Sequence, residues 1–547
     1  MAAPARQGYG YDERYSEPRT VSIHALAAKT EIPEEVVEYL IFFKRAVVNE
    51  EVQKINHFYE YGFSELTDKY YREKCWPSEN LVEEVVGKDH KHFIYLYKEL
   101  YYRYVYGKHQ RGLSLEHRFA SYQNYNDLFT FLLSPEEPVA MSLPNKWLWD
   151  IIDEFVYQFQ SFCQYRANPS KRGPGGDMDE MDMPLDDIWN LYPVINILCS
   201  VIAKGQTNEI LEVMKSGRPV EDVADRFGAS PLYYRLGYFA IIGLMRIHIL
   251  LGDFKRALKT VENIEFAPEG LYNSVPSCLV TLHYYVGFCH MMMRRYGEAV
   301  RVFITALLFI QRTRNAGYQQ AQQNKSWQYD VISKTNEQLY QLLGICLVLQ
   351  PQRIDESIHS QLNERLGDRM ARMRKGELPE FEAAFASGCP KFLAPTVYSD
   401  QQGNLSKEPL LHQSRIFKGE IQEQLSIPLL RGYLSLYSSI TVAKLASFMD
   451  VPEEELIGYL LSFKHKLADL SPDDADAEDN VVDLDFYVDK DMIHVADTKV
   501  GRRHGEYFIR HITKLMELNR NIEKLEIGKK PSAAEVAGRS ARVSHPR

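Results

Sequence analysis

Cysteine is scarce in this chain, with seven in 547 residues, at positions 75, 163, 199, 278, 289, 346 and 389. No two lie closer than eleven residues, so there is no CxxC pair and no zinc-finger spacing. Most sit in apolar runs, such as LLGICLVL around Cys346, the setting of buried reduced thiols. Long hydrophobic runs are also missing. None reaches the ~18 residues of a membrane span, and the best candidate, Leu236 to Leu251, is interrupted by Arg246 and His248. The first twenty residues lack the apolar segment of a secretory signal. Together these absences predict a cytosolic or nuclear protein in a reducing compartment. An excess of positive charge is absent as well: 64 Lys+Arg face 74 Asp+Glu, a net charge of −10. That balance argues against a dedicated nucleic-acid binder, and against DNA as a partner, because phosphate neutralisation supplies most of such affinity.

Catalytic patterns are missing too. There is no HExxH, no GxSxG and no GxxxxGK[ST]. The glycines of GPGGD (173–177) follow no strand and open no helix, so they read as linker. Asp474, Asp476 and Glu478 alternate like calcium ligands, but without the turn glycine and the distal glutamate they read as a solvated loop. His283 and His290 lie on one helical face with no carboxylate or thiol beside them, which fits packed helix histidines. No catalytic, cofactor-binding or metal-binding residue is expected, and the chain does not read as an enzyme.

What is present is helical patterning. The length implies three or four domains. Residues 1–20 have little to bury and read as a disordered tail. Order is expected from about Val21. Ile32-Pro33-Glu34-Glu35 reads as a helix start with Pro at the first helical position. An N-terminal helical domain follows to residue 166, with one stripe of Trp147, Ile151, Phe155, Phe159 and Phe162. Residues 167–187, with three Pro, three Gly and six acids against two bases, form an acidic linker. A helical-repeat domain spans 188–438. In it, Phe254-x-x-Ala257-Leu258 is echoed 42 residues later by Tyr296-x-x-Ala299-Val300, and more loosely by Ile354-x-x-Ser357-Ile358. A small residue three after an aromatic lets paired helices approach closely, as in tetratricopeptide-type repeats.

Beyond a Pro- and Gly-rich loop at 387–409 the pattern changes. Ser439 to Phe448 reads as a short helix with Val442, Leu445 and Phe448 on one face, then a turn at Met449-Asp450-Val451. Pro452 starts a second helix with Leu456, Leu460, Phe463 and Leu467 inward. After an acidic run, Asp469 to Asp479, the period switches to two at Val482, Leu484 and Phe486, turns at Asp489-Lys490-Asp491 and returns through Ile493 and Val495. Two helices and a hairpin make a winged helix, assigned to 439–504. The end of the second helix that would face DNA carries Asp450, Glu453, Glu454 and Glu455, so DNA reading is disfavoured. A last helix, 505–527, carries an apolar seam of Phe508, Ile512, Leu515, Leu518, Ile522 and Leu525, read as a protein interface. Lys499, Arg502 and Arg503 form a basic spot that could touch RNA. Residues 528–547 read as a disordered basic tail. IPEEVVEYLIFFK (32–44) and VPEEELIGYLLSFK (451–464) share one helix-start chemistry.

Irregular helical repeats followed by a winged helix and a terminal helix resemble the PCI module, found in the proteasome lid, the signalosome and eukaryotic translation initiation factor three. HALAAKTEIPEEVVEYLIFFKRAV, DHKHFIYLYKELYYRYVYGK, LPNKWLWDIIDEFVYQFQSF, GDFKRALKTVENIEF and GELPEFEAAFASGCPKFLAP resemble the L-subunit family of that initiation factor. The resemblance runs from about residue 20 to 526. It implies a mainly α fold of irregular TPR-like repeats, a winged helix and a C-terminal bundle helix. It also implies a cytoplasmic, non-enzymatic scaffold that meets other PCI subunits and, through the complex, the small ribosomal subunit. The alternative is an RNA-binding regulator acting through the winged helix and the basic segment. Related complexes contain isopeptidases with a zinc motif of HxH, seven residues, Ser, two residues, Asp. His90-Lys91-His92 begins that pattern, but Leu100 and Arg103 stand where Ser and Asp should be.

Overall fold

The structure is a computed structural model. It describes residues 23–87, 90–108, 113–168, 188–267, 270–317, 327–394, 405–469 and 485–496, and the positions 511, 512, 515, 518, 519 and 522. The described chain is mainly α-helical, with one small sheet. It divides into two compact units, one within residues 1–419 and one within 420–547. The division falls inside a helix, Glu408–Leu434.

In the first unit the N-terminal helices pack around an aromatic core. The helix Glu34–Val48 starts one residue later than expected, because Pro33 lies in extended backbone and serves as the N-cap. Its Val36, Val37, Leu40 and Phe43 are buried. The stripe from Trp147 to Phe162 is buried throughout on the helix Asn145–Arg166. Trp147 is sandwiched between Phe43, with centroids 5.5 Å apart, and Tyr59, at 4.9 Å. Such ring contacts add to the burial of large apolar area and explain the load of aromatic residues.

Beyond residue 188 the chain runs in helical hairpins. Pro231–Leu250 turns back through Phe254–Thr260, and Pro276–Met292 through Tyr296–Gly317. Ala257 and Ala299 are fully buried, as a close helix pairing requires. The two turns also share their hydrogen bonds. Gly252 N–H donates to Ile249 O and Asp253 N–H to His248 O; 42 residues on, Arg294 donates to Met291 O and Arg295 to His290 O. Each turn needs a left-handed residue, supplied by Gly252 (φ 86°) and by Arg294 (φ 66°). The third copy does not follow suit. Ile354 precedes its helix, Glu356–Arg374, and Asp355 caps it by accepting from Ser357 N–H. The long buried helix 231–250 tolerates Arg246 because its guanidinium pairs with Asp153 on the helix 145–166.

The second unit carries the winged-helix outline, with one correction. Ser439–Thr441 is a strand, β1, and the helix begins only at Val442, where the Thr441 hydroxyl accepts from Lys444 N–H. The hairpin is β2 (Asp485–Asp489) and β3 (Met492–Ala496), joined through left-handed Lys490. The sheet order is β1-β3-β2, antiparallel throughout, with Ser439 opposite His494 and Asp489 opposite Met492. The second helix runs Glu453–Asp469 after a turn in which Asp450 adopts φ 55°. Leu445, Leu456, Leu460, Phe463, Phe486 and Ile493 close the core. Phe448 points away from it, 39% exposed, and stacks on Tyr433 and Tyr437. Val482, Leu484 and the acidic run beyond Asp469 lie outside the described residues.

Candidate assembly surface

The six described positions between 511 and 522 are each helical. Of these, Ile512, Leu515, Leu518 and Ile522 are 54%, 63%, 49% and 53% exposed. These are four large apolar side chains in contact with water, which solvates them poorly. Phe508 and Leu525, which would extend the seam, lie outside the described residues. So do Lys499, Arg502 and Arg503.

The winged helix adds two exposed features. Tyr487 and Val488 stand out on the edge strand β2, 61% and 47% exposed, beside a row of backbone groups able to pair with another strand. The first turn of the helix 453–469 presents Glu453, Glu454 and Glu455, all exposed. Three carboxylates there oppose phosphate.

His90 and His92 are neighbours, with ring centroids 5.5 Å apart. Leu100 is buried, and Arg103 lies in an ion network with Glu99 and Asp150. Among the described residues no three His, Cys, Asp or Glu side chains gather as metal ligands. His283 and His290 are packed as helix histidines. The His283 ring bonds to Leu279 O at 2.9 Å, and burial pushes His290 down to about 4. The five cysteines 163, 278, 289, 346 and 389 are buried and free, and burial raises their thiols above the ordinary range. No described helix is long and apolar enough to cross a membrane.

Sequence reasoning missed the buried network. Arg103 donates to Glu99 one turn away and to the Tyr59 hydroxyl, which donates to Asp150; Trp147 Nε1 donates to Glu99 at 3.1 Å. One guanidinium thus serves two carboxylates. The second is poorly served, since Asp150 lies 3.6 Å from Arg103 and its Oδ1 has no partner. Burial accordingly lifts Asp150 to about 6 against the pull of Arg103. Only the i, i+4 spacing of Glu99 and Arg103 hinted at this.

Helical hairpins and a winged-helix-like end define a mainly α, helical-repeat protein. The family described as RNA polymerase I-associated factor PAF67 matches residues 117–515. The "Eukaryotic translation initiation factor 3 subunit L" of Brugia malayi is 54% identical over 512 residues, 91% of this chain and 93% of that one. The protein of the same description from Caenorhabditis elegans is 51% identical over 519 residues, 93% and 96% of the two chains. The human protein is 46% identical over 483 residues, 86% and 83%. The chain belongs to the family of eukaryotic translation initiation factor 3 L subunits.

Proposed function

We propose that this chain is a non-catalytic scaffold subunit of a cytoplasmic initiation factor 3 complex. It joins other PCI subunits through its terminal helix and winged helix, and reaches the small ribosomal subunit as part of that complex. The observation that carries the reading is the wet seam of Ile512, Leu515, Leu518 and Ile522. Covering these side chains would contribute on the order of 1.5–3 kcal/mol each before ordering costs. The test is Leu515→Asp with Ile522→Asp in the full chain. The expected result is an unchanged melting temperature and loss of co-purification with the other initiation factor subunits. Unfolding of the isolated variant, or full assembly, would refute the reading. Action as an RNA-binding regulator through the winged helix, Lys499, Arg502 and Arg503 fits less well, because Glu453, Glu454 and Glu455 would lie toward the phosphates.

A further inference from the structure

The helix Glu453–Asp469 buries Leu456, Leu460 and Phe463. Its opposite face is where a nucleic-acid-binding winged helix would carry polar and basic groups. Here that face carries Ile457 and Leu461, 47% and 57% exposed, with Gly458 beside them. Glu454, Ile457, Gly458 and Leu461 stand at i, i+3, i+4 and i+7. Four residues at that spacing rim the hole that receives a knob from a facing helix. Gly458 contributes no side chain, and a Cβ added there would meet nothing within 4 Å. The hole is therefore wide, shallow at one corner and flanked by two branched apolar side chains. Its N-terminal rim is acidic, from the exposed Glu453 and Glu454, while Glu455 is taken by the Tyr459 hydroxyl at 2.6 Å.

The chain supplies its own comparison. The helix Glu34–Val48 begins with the same Pro-Glu-Glu and carries Tyr39, Leu40, Phe43 and Lys44 where the later helix carries Tyr459, Leu460, Phe463 and Lys464. In both, the proline carbonyl accepts the first helical bond, from Val37 N–H at 3.1 Å and from Leu456 N–H at 3.0 Å. The later segment has one residue inserted between its proline and its tyrosine; counted from the aligned tyrosines, Val37 stands where Ile457 does and is fully buried, and Ile41 stands where Leu461 does and is half-buried. What packs on the earlier helix is other helices, Ile23–Thr30 and Glu79–Val86 among them. Its Glu38 stands where the later helix has Gly458, so the exposed copy alone has the open corner.

We propose that the face Glu454-Ile457-Gly458-Leu461 is a docking site for one amphipathic helix of a neighbouring protein subunit. That helix inserts a bulky apolar side chain over Gly458 and sets a Lys or Arg within one turn of it against Glu453 and Glu454. Charge complementarity selects the basic residue, the open corner selects the bulky knob, and the two apolar flanks select a helix rather than RNA. The site is separate from the terminal seam, but it rests on the reading that the chain works inside a multi-subunit complex.

The test uses the full chain incorporated in its complex, with the photo-crosslinker p-benzoylphenylalanine at position 461. The expected product is a cross-link to one helical segment of another subunit, with a Leu, Met or aromatic residue and a basic residue within a turn of the linked position. Gly458→Leu, which fills the hole on an exposed helix face, should leave the melting temperature unchanged or raised and cut cross-link yield about tenfold. Glu454→Lys should also cut it about tenfold, the loss expected for about 1.4 kcal/mol. A cross-link to RNA, to a segment without those residues, or at a yield unaffected by both variants would overturn the proposal. Incorporation with no cross-link above that of the same probe at exposed Tyr487 would overturn it while leaving the scaffold reading intact. Absence of the unlabelled chain from the complex overturns both.

Discussion

Replacing Asp150 by Asn should stabilise this protein at neutral pH, although Asp150 sits next to an arginine. Asp150 is 3% exposed. It receives the Tyr59 hydroxyl on one oxygen, has nothing on the other, and lies 3.6 Å from a guanidinium already committed to Glu99. Removing a carboxylate from water costs several kcal/mol, and a shared cation at that distance returns only part of it. The carboxyl is lifted from 3.8 to about 6 in the folded chain, which corresponds to about 3 kcal/mol. The folded state holds its proton to a higher pH than the unfolded state, so folding takes up a proton between about pH 4 and pH 6. Stability is therefore lost as pH rises through that window and stays lost above it. Glu154, pushed up to about 7 by burial, contributes with the same sign. Asp150→Asn keeps an acceptor for Tyr59 and removes the charge. Allowing for the lost attraction to Arg103, the gain at pH 8 should be about 1–3 kcal/mol. For a block of 150–250 residues that is roughly 2–4 °C per kcal/mol. Differential scanning fluorimetry of both proteins at pH 8 and at about pH 4.5 reads the effect. The advantage of the variant should be largest at pH 8 and fall to about a third of that at about pH 4.5. A variant that melts lower than the parent at pH 8, or a difference independent of pH, would show that Arg103 fully compensates Asp150, and the reasoning would fail.

Gly287→Ala would drive a Cβ into the ring of buried Phe303, so it should lower the melting temperature by the equivalent of about 1–3 kcal/mol despite alanine's better helix propensity. His290, held down to about 4 by burial, folds neutral while the unfolded chain protonates near 6.5; stability should fall as pH drops from about 6.5 to 4, and His290→Leu should flatten that slope in urea titrations at pH 7.5 and 5. The slope should shrink rather than vanish, because burial lowers His248 and His283 in the same direction.

Where the sequence was informative, the information was local and periodic. The stripe from Trp147 to Phe162 steps by four and three, and it is buried as that spacing demands. The shared turn after residues 250 and 292 was visible in Phe254 and Tyr296, because small buried residues at fixed offsets leave a trace in one strand of text. The strand Ser439–Thr441 left no such trace. Three residues acquire strand geometry only by pairing with β3, more than fifty positions away, and Ser-Ile-Thr is equally acceptable at a helix start. The left-handed Arg294 was hidden for a similar reason: its turn is set by hydrogen bonds to Met291 and His290, while the residue itself announces nothing. The Asp150 network joins residues 59, 99, 103 and 150, and of these only Glu99 and Arg103 are close enough in sequence to read as a pair. Of the terminal apolar period, Ile512, Leu515, Leu518 and Ile522 are exposed, a feature that periodicity by itself does not reveal.

The two Pro-Glu-Glu helices show why periodicity alone could not assign function. One buries the counterpart of Ile457 and the other leaves it wet, with nearly the same residues at the start, so the difference lies in what the rest of the chain brings alongside. The helix Glu34–Val48 is covered by the helices Ile23–Thr30 and Glu79–Val86, and elsewhere within residues 1–419 Arg103 and Arg246 are tied to Asp150 and Asp153 on a neighbouring helix. Within 420–547 the small winged-helix core is closed by a few side chains. Ile457, Leu461, Tyr487, Val488, Ile512, Leu515, Leu518 and Ile522 remain exposed around it. Wet apolar side chains contribute nothing to the stability of the isolated chain, yet each supplies free energy once a partner covers it. Any partner that binds only the folded chain also stabilises it by mass action. The melting temperature of the unit within 420–547 should therefore depend on partner concentration.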